Sequence, residues 1–169
     1  MNLDSEQLAF IGHYRHSVDA KGRVAIPKSF RKVLPNESNG RFVLNIGHDS
    51  TIEIHPLSEW KRFEMAALLR LDRDDEEERE KLRAKLSLIN EVLMDNSYRV
   101  LIPRYLLDYA GLKPNGPCVL SGMGMHFDLV AAELFDQRMQ NFLKNFDKIA
   151  SKKKPAEKTA AAPEAKTEP

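Results

Sequence analysis

Cysteine is almost missing from this chain: Cys118 stands alone among 169 residues. That excludes an internal disulfide and fits a reducing compartment. No apolar run approaches the ~20 residues of a membrane span, so no membrane partner is expected. The opening Met1-Asn-Leu-Asp-Ser-Glu6 lacks a basic stretch followed by an apolar one, so no secretory signal is read. Charge of one sign is lacking too: 26 Lys and Arg oppose 25 Asp and Glu. Patterns of catalysis and ligation are equally sparse. No Ser-His-Asp or Cys-His set emerges, and His13-x-x-His16 has no Cys or carboxylate pattern to complete a zinc set. Asp72-Arg-Asp-Asp75 lacks the glycine and spacing of a calcium loop. Gly122-Met-Gly124 has no following Lys or third glycine to make a phosphate loop. His48, His55 and His126 read as isolated surface or turn residues, and Cys118 as core. The expectation is no enzyme activity, no cofactor, no metal and no small-molecule substrate.

What the chain does have is a repeat. Asp19-Ala-Lys-Gly-Arg23 precedes Val24-Ala-Ile-Pro27, and Asp95-Asn-Ser-Tyr-Arg99 precedes Val100-Leu-Ile-Pro103. The offset is 76 positions for Asp19 and Asp95, for Arg23 and Arg99, and for Pro27 and Pro103. Phe42-Val-Leu44 continues it onto Cys118-Val-Leu120. After the loss of one residue, Ile52-Glu-Ile54 answers Phe127-Asp-Leu129, and Trp60 answers Phe135. Two such half-modules would share one core. The neutral average also hides a basic first repeat. From Phe10 to Gly47 there are seven cations (Arg15, Lys21, Arg23, Lys28, Arg31, Lys32, Arg41) against Asp19 and Glu37, and acids crowd Asp72 to Glu80.

Local signals place the motifs. Phe10 to Val18 reads as a strand entering a turn in which Asp19 bonds its own backbone and Gly22 supplies a positive φ. Val24 and Ile26 alternate along a returning strand. Pro27 and Pro103 open short helices, and Gly111 closes the second. Phe42 to Ile46, Thr51 to Ile54, Cys118 to Leu120 and Phe127 to Val130 read as strands. Trp60, Phe63, Ala67 and Leu71 have helical spacing, as do Phe135, Met139, Phe142, Phe146 and Ile149. Asp72 to Met94 is expected as a connecting helix whose stripe of Leu82, Leu86, Ile89 and Leu93 covers the core or makes a subunit contact. The organisation expected is an N-terminal extension (1–9), repeat 1 (10–71), the connecting helix (72–94), repeat 2 with a C-terminal helix (95–150), and a tail (151–169). The tail has no large apolar residue and is expected to be disordered.

The motif Asp19-Ala-Lys-Gly-Arg23-Val-Ala-Ile-Pro27, its second copy, Phe10-Ile-Gly-His-Tyr14 and Tyr109-Ala-Gly-Leu112 together resemble the MraZ family of bacterial transcriptional regulators. The resemblance implies an α+β fold: two AbrB-like swapped-hairpin repeats forming one pseudo-two-fold β-barrel, with flanking and connecting helices. It further implies a ring-shaped homo-oligomer that binds repeated promoter boxes in double-stranded DNA upstream of a division and cell-wall gene cluster, its own gene included. A cytoplasmic, nucleoid-associated location follows. The family's DNA-contacting turn falls on Lys21, Gly22 and Arg23, and its second turn on Arg99. One departure stands out, because Tyr98 replaces the family's Gly before that arginine. Asn96 is therefore expected to take the unusual backbone angle, or the turn to change shape.

The chemistry suits that reading. A hairpin tip fits the major groove, and arginine is matched to guanine O6 and N7, a contact worth ~1–3 kcal/mol of discrimination. Lys21 serves base edge or phosphate, and Gly22 keeps the tip slim. Arg15, Lys28, Arg31 and Lys32 are candidate phosphate contacts. Asp19 and its counterpart Asp95 shape the turns or orient the arginines. The competing reading is a non-enzymatic protein-interaction module of antitoxin type.

Overall fold

A computed structural model describes residues 9–146 and 148. The expectations for residues 1–8, for Ile149 and for the tail 151–169 lie outside the described residues. The chain divides into two compact units, Met1–Asp136 and Gln137–Pro169. The first holds every strand among the described residues: β1 (His13–Ser17), β2 (Arg23–Ala25), β3 (Arg41–Ile46), β4 (Ile52–Pro56), β5 (Asn90–Leu93), β6 (Arg99–Leu101), β7 (Pro117–Gly122) and β8 (Phe127–Ala131). Its helices are α1 (Lys28–Lys32), α2 (Leu57–Glu59), a π-helical segment (Trp60–Met65), α3 (Ala66–Leu68), α4 (Glu76–Ser87) and α5 (Arg104–Tyr109). Helix α6 (Ala132–Lys144) starts there and continues into the second unit. No described helix is long and apolar enough to cross a membrane.

Strand exchange joins the repeats. The six-stranded sheet has the order β1-β7-β8-β4-β3-β5, and β2 pairs with β6 in a two-stranded sheet. Thus β1 of the first repeat pairs with β7 of the second, and β5, in the segment that connects the repeats, pairs with β3 of the first, all antiparallel. Two further ladders lie between the repeats, β4 on β8 and β2 on β6. The fold is mixed α+β, and the expected barrel does not close: among the described residues β1 and β5 remain the outer strands of the sheet. Pro27 and Pro103 end the ribbon strands early, since proline lacks the N–H a ladder needs, and three-residue strands cannot bridge the two edges.

Alternation along β3, β4, β7 and β8 gives the sheet an apolar inner face. Phe42, Leu44, Ile52, Ile54, Cys118, Leu120, Phe127 and Leu129 are all fully buried there with Val24, Val100, Phe30 and Leu106 from the ribbon and the short helices. Phe127 sits at the centre, with ring centroids 5.1 Å from Phe10, 5.0 Å from Phe30 and 6.0 Å from Phe42. Burial raises the Cys118 thiol pKa to about 12, consistent with its reading as core. On the outer face, Val43 packs with Trp60 and Leu68. Its repeat partner Val119 packs with Val130, Ala132 and Phe135. Trp60 and Phe135 therefore anchor equivalent clusters, as their spacing predicts.

Several local expectations need correction. The connecting helix ends at Ser87, and Asn90–Leu93 is a strand. Leu82 and Ile89 do pack on the Trp60 cluster, whereas Leu86 and Leu93 are exposed; strand pairing with β3 overrides the helical stripe. The connecting helix also starts later than Asp72: Glu76 is its first residue, and Asp75 caps it by accepting from Glu78 N at 2.9 Å. Pro27 and Pro103 are extended cap residues (ψ 142° and 140°) rather than first helical residues. Gly111 (φ 64°) closes α5 with Leu112 N–H donating to Leu107 O and its own N–H to Asp108 O. His55 and His126 are not isolated, because their rings stack with centroids 4.4 Å apart.

Candidate nucleic-acid interface

The two turns have one backbone design. Asp19 Oδ1 accepts from the amides of Lys21 (2.8 Å) and Arg23 (2.9 Å), and Asp95 Oδ1 from those of Ser97 and Arg99 (both 2.9 Å). Gly22 N–H donates to Asp19 O, and Tyr98 N–H to Asp95 O. The asparagine alternative for the second turn is overturned: Tyr98 itself takes φ 60°, matching Gly22 at φ 80°, and the turn keeps its shape. Strain of ~1–2 kcal/mol accompanies that angle for a side chain with a Cβ.

A compensating contact surrounds Tyr98. Arg31 places its guanidinium carbon 3.8 Å from the tyrosine ring centroid, a cation–π arrangement worth ~0.5–1 kcal/mol when exposed and more when desolvated. Arg31 Nε is buried without a hydrogen-bond partner, so the ring face is the neighbour that receives this cation. In the first turn the corresponding pair is Gly22 and Leu107. Gly22 is buried, and a Cβ there would stand 3.3 Å from Leu107 Cδ1. Gly22 thus does not slim the tip; it packs beneath it, and the exposed tip residues are Ala20 and Lys21.

The ribbon brings the arginines together. Val24 faces Val100 at its centre, flanked by Arg23 opposite Leu101 and Ala25 opposite Arg99. Val24 and Val100 are fully buried, so alternation sends Arg23 and Arg99 to the outer face. Asp19 Oδ2 accepts from Arg23 Nε at 2.7 Å, and Asp95 Oδ2 from Arg99 Nε at 3.0 Å. Each arginine also reaches the other turn: Arg23 Nη1 lies 3.7 Å from Asp95 Oδ2, and Arg99 Nη1 3.6 Å from Asp19 Oδ2. The four residues form a closed, charge-neutral ring across the pseudo-dyad. Both carboxyl groups are held below their ordinary pKa, first by the backbone amides of Arg23 and Arg99 and then by the guanidinium groups.

The other candidate residues surround or leave this ring. Lys21, Lys28 and Lys32 are exposed, the first on the turn and the others on α1. Arg15, on β1, is bound by Asp136 through Nη1 at 3.3 Å and through Nη2. The crosswise Arg–Asp contacts and the Arg31–Tyr98 stack escaped sequence reasoning. The repeat offset could have found the second, because it maps Gly22 onto Tyr98 and Leu107 onto Arg31.

Residues 9–84 match the family described as "MraZ protein, putative antitoxin-like". A transcriptional regulator MraZ of Natranaerobius thermophilus is 33% identical over 141 residues, 83% of this chain and 94% of that protein. The chain belongs to the MraZ family. Other MraZ relatives agree. The Dictyoglomus thermophilum transcriptional regulator MraZ is 32% identical over 145 residues, covering 85% of this chain and 94% of its own length. That of Acetivibrio thermocellus is 41% identical over 104 residues, 62% of this chain and 69% of its own. The MraZ match in residues 9–84 contains the first Asp-Arg turn, and the Natranaerobius alignment is long enough to require both repeats.

Proposed function

We propose that this chain is a sequence-specific DNA-binding transcriptional regulator built from two AbrB-like swapped-hairpin repeats. The observation that carries the reading is the Asp19–Arg23–Asp95–Arg99 ring on the outer face of a two-stranded ribbon. A major groove admits such a ribbon. Arg23 is held through Nε by Asp19 and lies 3.7 Å from Asp95 through Nη1, and its terminal nitrogens are the groups suited to guanine O6 and N7. Pre-orienting a guanidinium lowers the ordering cost of binding. Lys21, Lys28 and Lys32 supply phosphate contacts that position the turn without reading sequence.

One chain offers a small reading surface. A ring of copies would engage several promoter boxes together, and linked sites gain ~10²–10⁴ in avidity without new contacts. The targets we infer are repeated boxes upstream of this protein's own gene and the adjoining division and cell-wall genes. Protection mapping on that DNA at fixed salt is the test. Regularly spaced protected boxes that vanish with Arg23→Ala are expected; uniform or absent protection with the wild-type chain sinks the proposal. Light scattering at micromolar concentration checks assembly, and a monomer there rules out the ring.

A further inference from the structure

Where β4 meets β8, four polar side chains interrupt the apolar outer face of the sheet. Glu53 stands opposite Asp128 in the ladder, and alternation puts His55 and His126 at the neighbouring positions of the same face. The imidazoles stack at 4.4 Å with an interplanar angle of 18°. Glu53 Oε2 lies 3.2 Å from His55 Nε2, and Asp128 Oδ1 lies 3.5 Å from His126 Nε2. His55 is only 6% exposed. Asp128 Oδ1 is buried, with His126 Nε2 as its polar neighbour. Two carboxylates thus stand beside two stacked imidazoles.

The geometry points to a divalent transition-metal site, with Zn²⁺ as its ion, held by Glu53, His55 and His126 with Asp128 as fourth ligand. Imidazole nitrogen with carboxylate oxygen is a donor set for this class of ion, whereas Mg²⁺ and Ca²⁺ take oxygen. Zn–N and Zn–O bonds of about 2.0–2.2 Å put neighbouring donors roughly 3.3 Å apart around a tetrahedral ion. The Glu53–His55 and His126–Asp128 pairs already have that spacing. One donor atom each from Glu53, His55 and His126 lie within 4.8 Å of one another, so side-chain rotation closes the remainder. Glu53 and His55 belong to the first repeat, His126 and Asp128 to the second. The ion would clip the halves together across β4–β8, on the sheet face opposite the one that packs on the ribbon.

The test uses the untagged full-length chain, stripped by chelator and titrated with Zn²⁺ by calorimetry, with Co²⁺ absorption as a probe of ligand geometry. One ion per chain is expected, with Tm raised by Zn²⁺ and not by Mg²⁺. Glu53→Gln and His126→Gln should each weaken Zn²⁺ binding by at least about tenfold, since even residues that only support metal ligands cost that much. His126 is partly exposed, so His126→Gln remains informative should a change at buried His55 prevent folding; circular dichroism confirms that each variant is folded. No saturable heat up to millimolar Zn²⁺ overturns the site. So does one-per-chain binding that persists in a folded Glu53→Gln/His126→Gln double variant, which would place the ion at other histidines.

Discussion

Gly22 and Tyr98 hold equivalent places in the two turns, both at positive φ, yet they meet different neighbours. Gly22 lies against Leu107 of α5; Tyr98, half exposed, lies under Arg31 of α1. The repeat offset makes Leu107 and Arg31 equivalents as well. The small residue therefore faces an aliphatic one, and the aromatic residue faces a cation. Beneath this asymmetry the Asp–Arg ring is nearly symmetric, with matching acceptors and crosswise contacts of 3.7 and 3.6 Å. The comparison teaches that duplicated halves can keep their charged constellation while exchanging the packing that supports it.

Arginine substitutions should produce the largest effects. Arg23→Ala is expected to cost ~1–3 kcal/mol of binding to a promoter box and to relax preference at one guanine, read by titration at fixed salt. Arg99→Ala should cost a similar amount if both turns read bases. A loss with Arg99→Ala that is uniform over all sequences would break the equivalence, making Arg99 a positioning residue only.

Packing beneath the turns comes next. Gly22→Ala forces a Cβ into a left-handed angle and to 3.3 Å from Leu107 Cδ1, and should lower unfolding free energy by ~1–2 kcal/mol. Trimming the neighbour with Leu107→Ala should relieve only the contact part, so a double-mutant cycle separates strain from overlap. At the second turn, Tyr98→Ala keeps the strained angle and loses the stack, for a cost of ~0.5–1 kcal/mol. Tyr98→Gly loses the stack but relieves ~1 kcal/mol of strain, so it should unfold at higher denaturant than Tyr98→Ala. The reverse order would show that the tyrosine is not strained.

The smallest effect concerns pH, and there the halves should agree. Asp19 and Asp95 have folded pKa values below the ordinary 3.8. A lowered carboxylate stabilises the fold above its unfolded pKa, and that contribution is lost as pH falls through the folded value. Stability should therefore begin to fall near pH 3.8 and continue falling below it. Asp19→Asn and Asp95→Asn should each flatten this acid limb, by similar amounts. Unequal slopes in acid titrations of Tm would show that the ring favours one turn.

Much of this was readable from residue order. The two Asp-x-x-x-Arg turns are local devices, set by an aspartate four positions before an arginine and by amides close in the chain, and local hydrogen bonds leave local signatures. Apolar alternation likewise marks β3, β4, β7 and β8 and the outer-face anchors Trp60 and Phe135. Asn90–Leu93 has a short apolar pattern that suits helix or strand, and only pairing with β3 makes it a strand. The left-handed angle of Tyr98 is hidden in the sequence because intrinsic preference disfavours it, and the cation that faces it comes from 67 positions away, at Arg31. The same holds for Glu53, His55, His126 and Asp128, which look like scattered polar residues until β4 and β8 are laid side by side. Turn shape and strand alternation travel with neighbouring residues, so the linear order determines them. Which charge meets which ring, and which carboxylate meets which imidazole, depends on strands exchanged between distant halves, and there tertiary pairing alone decides.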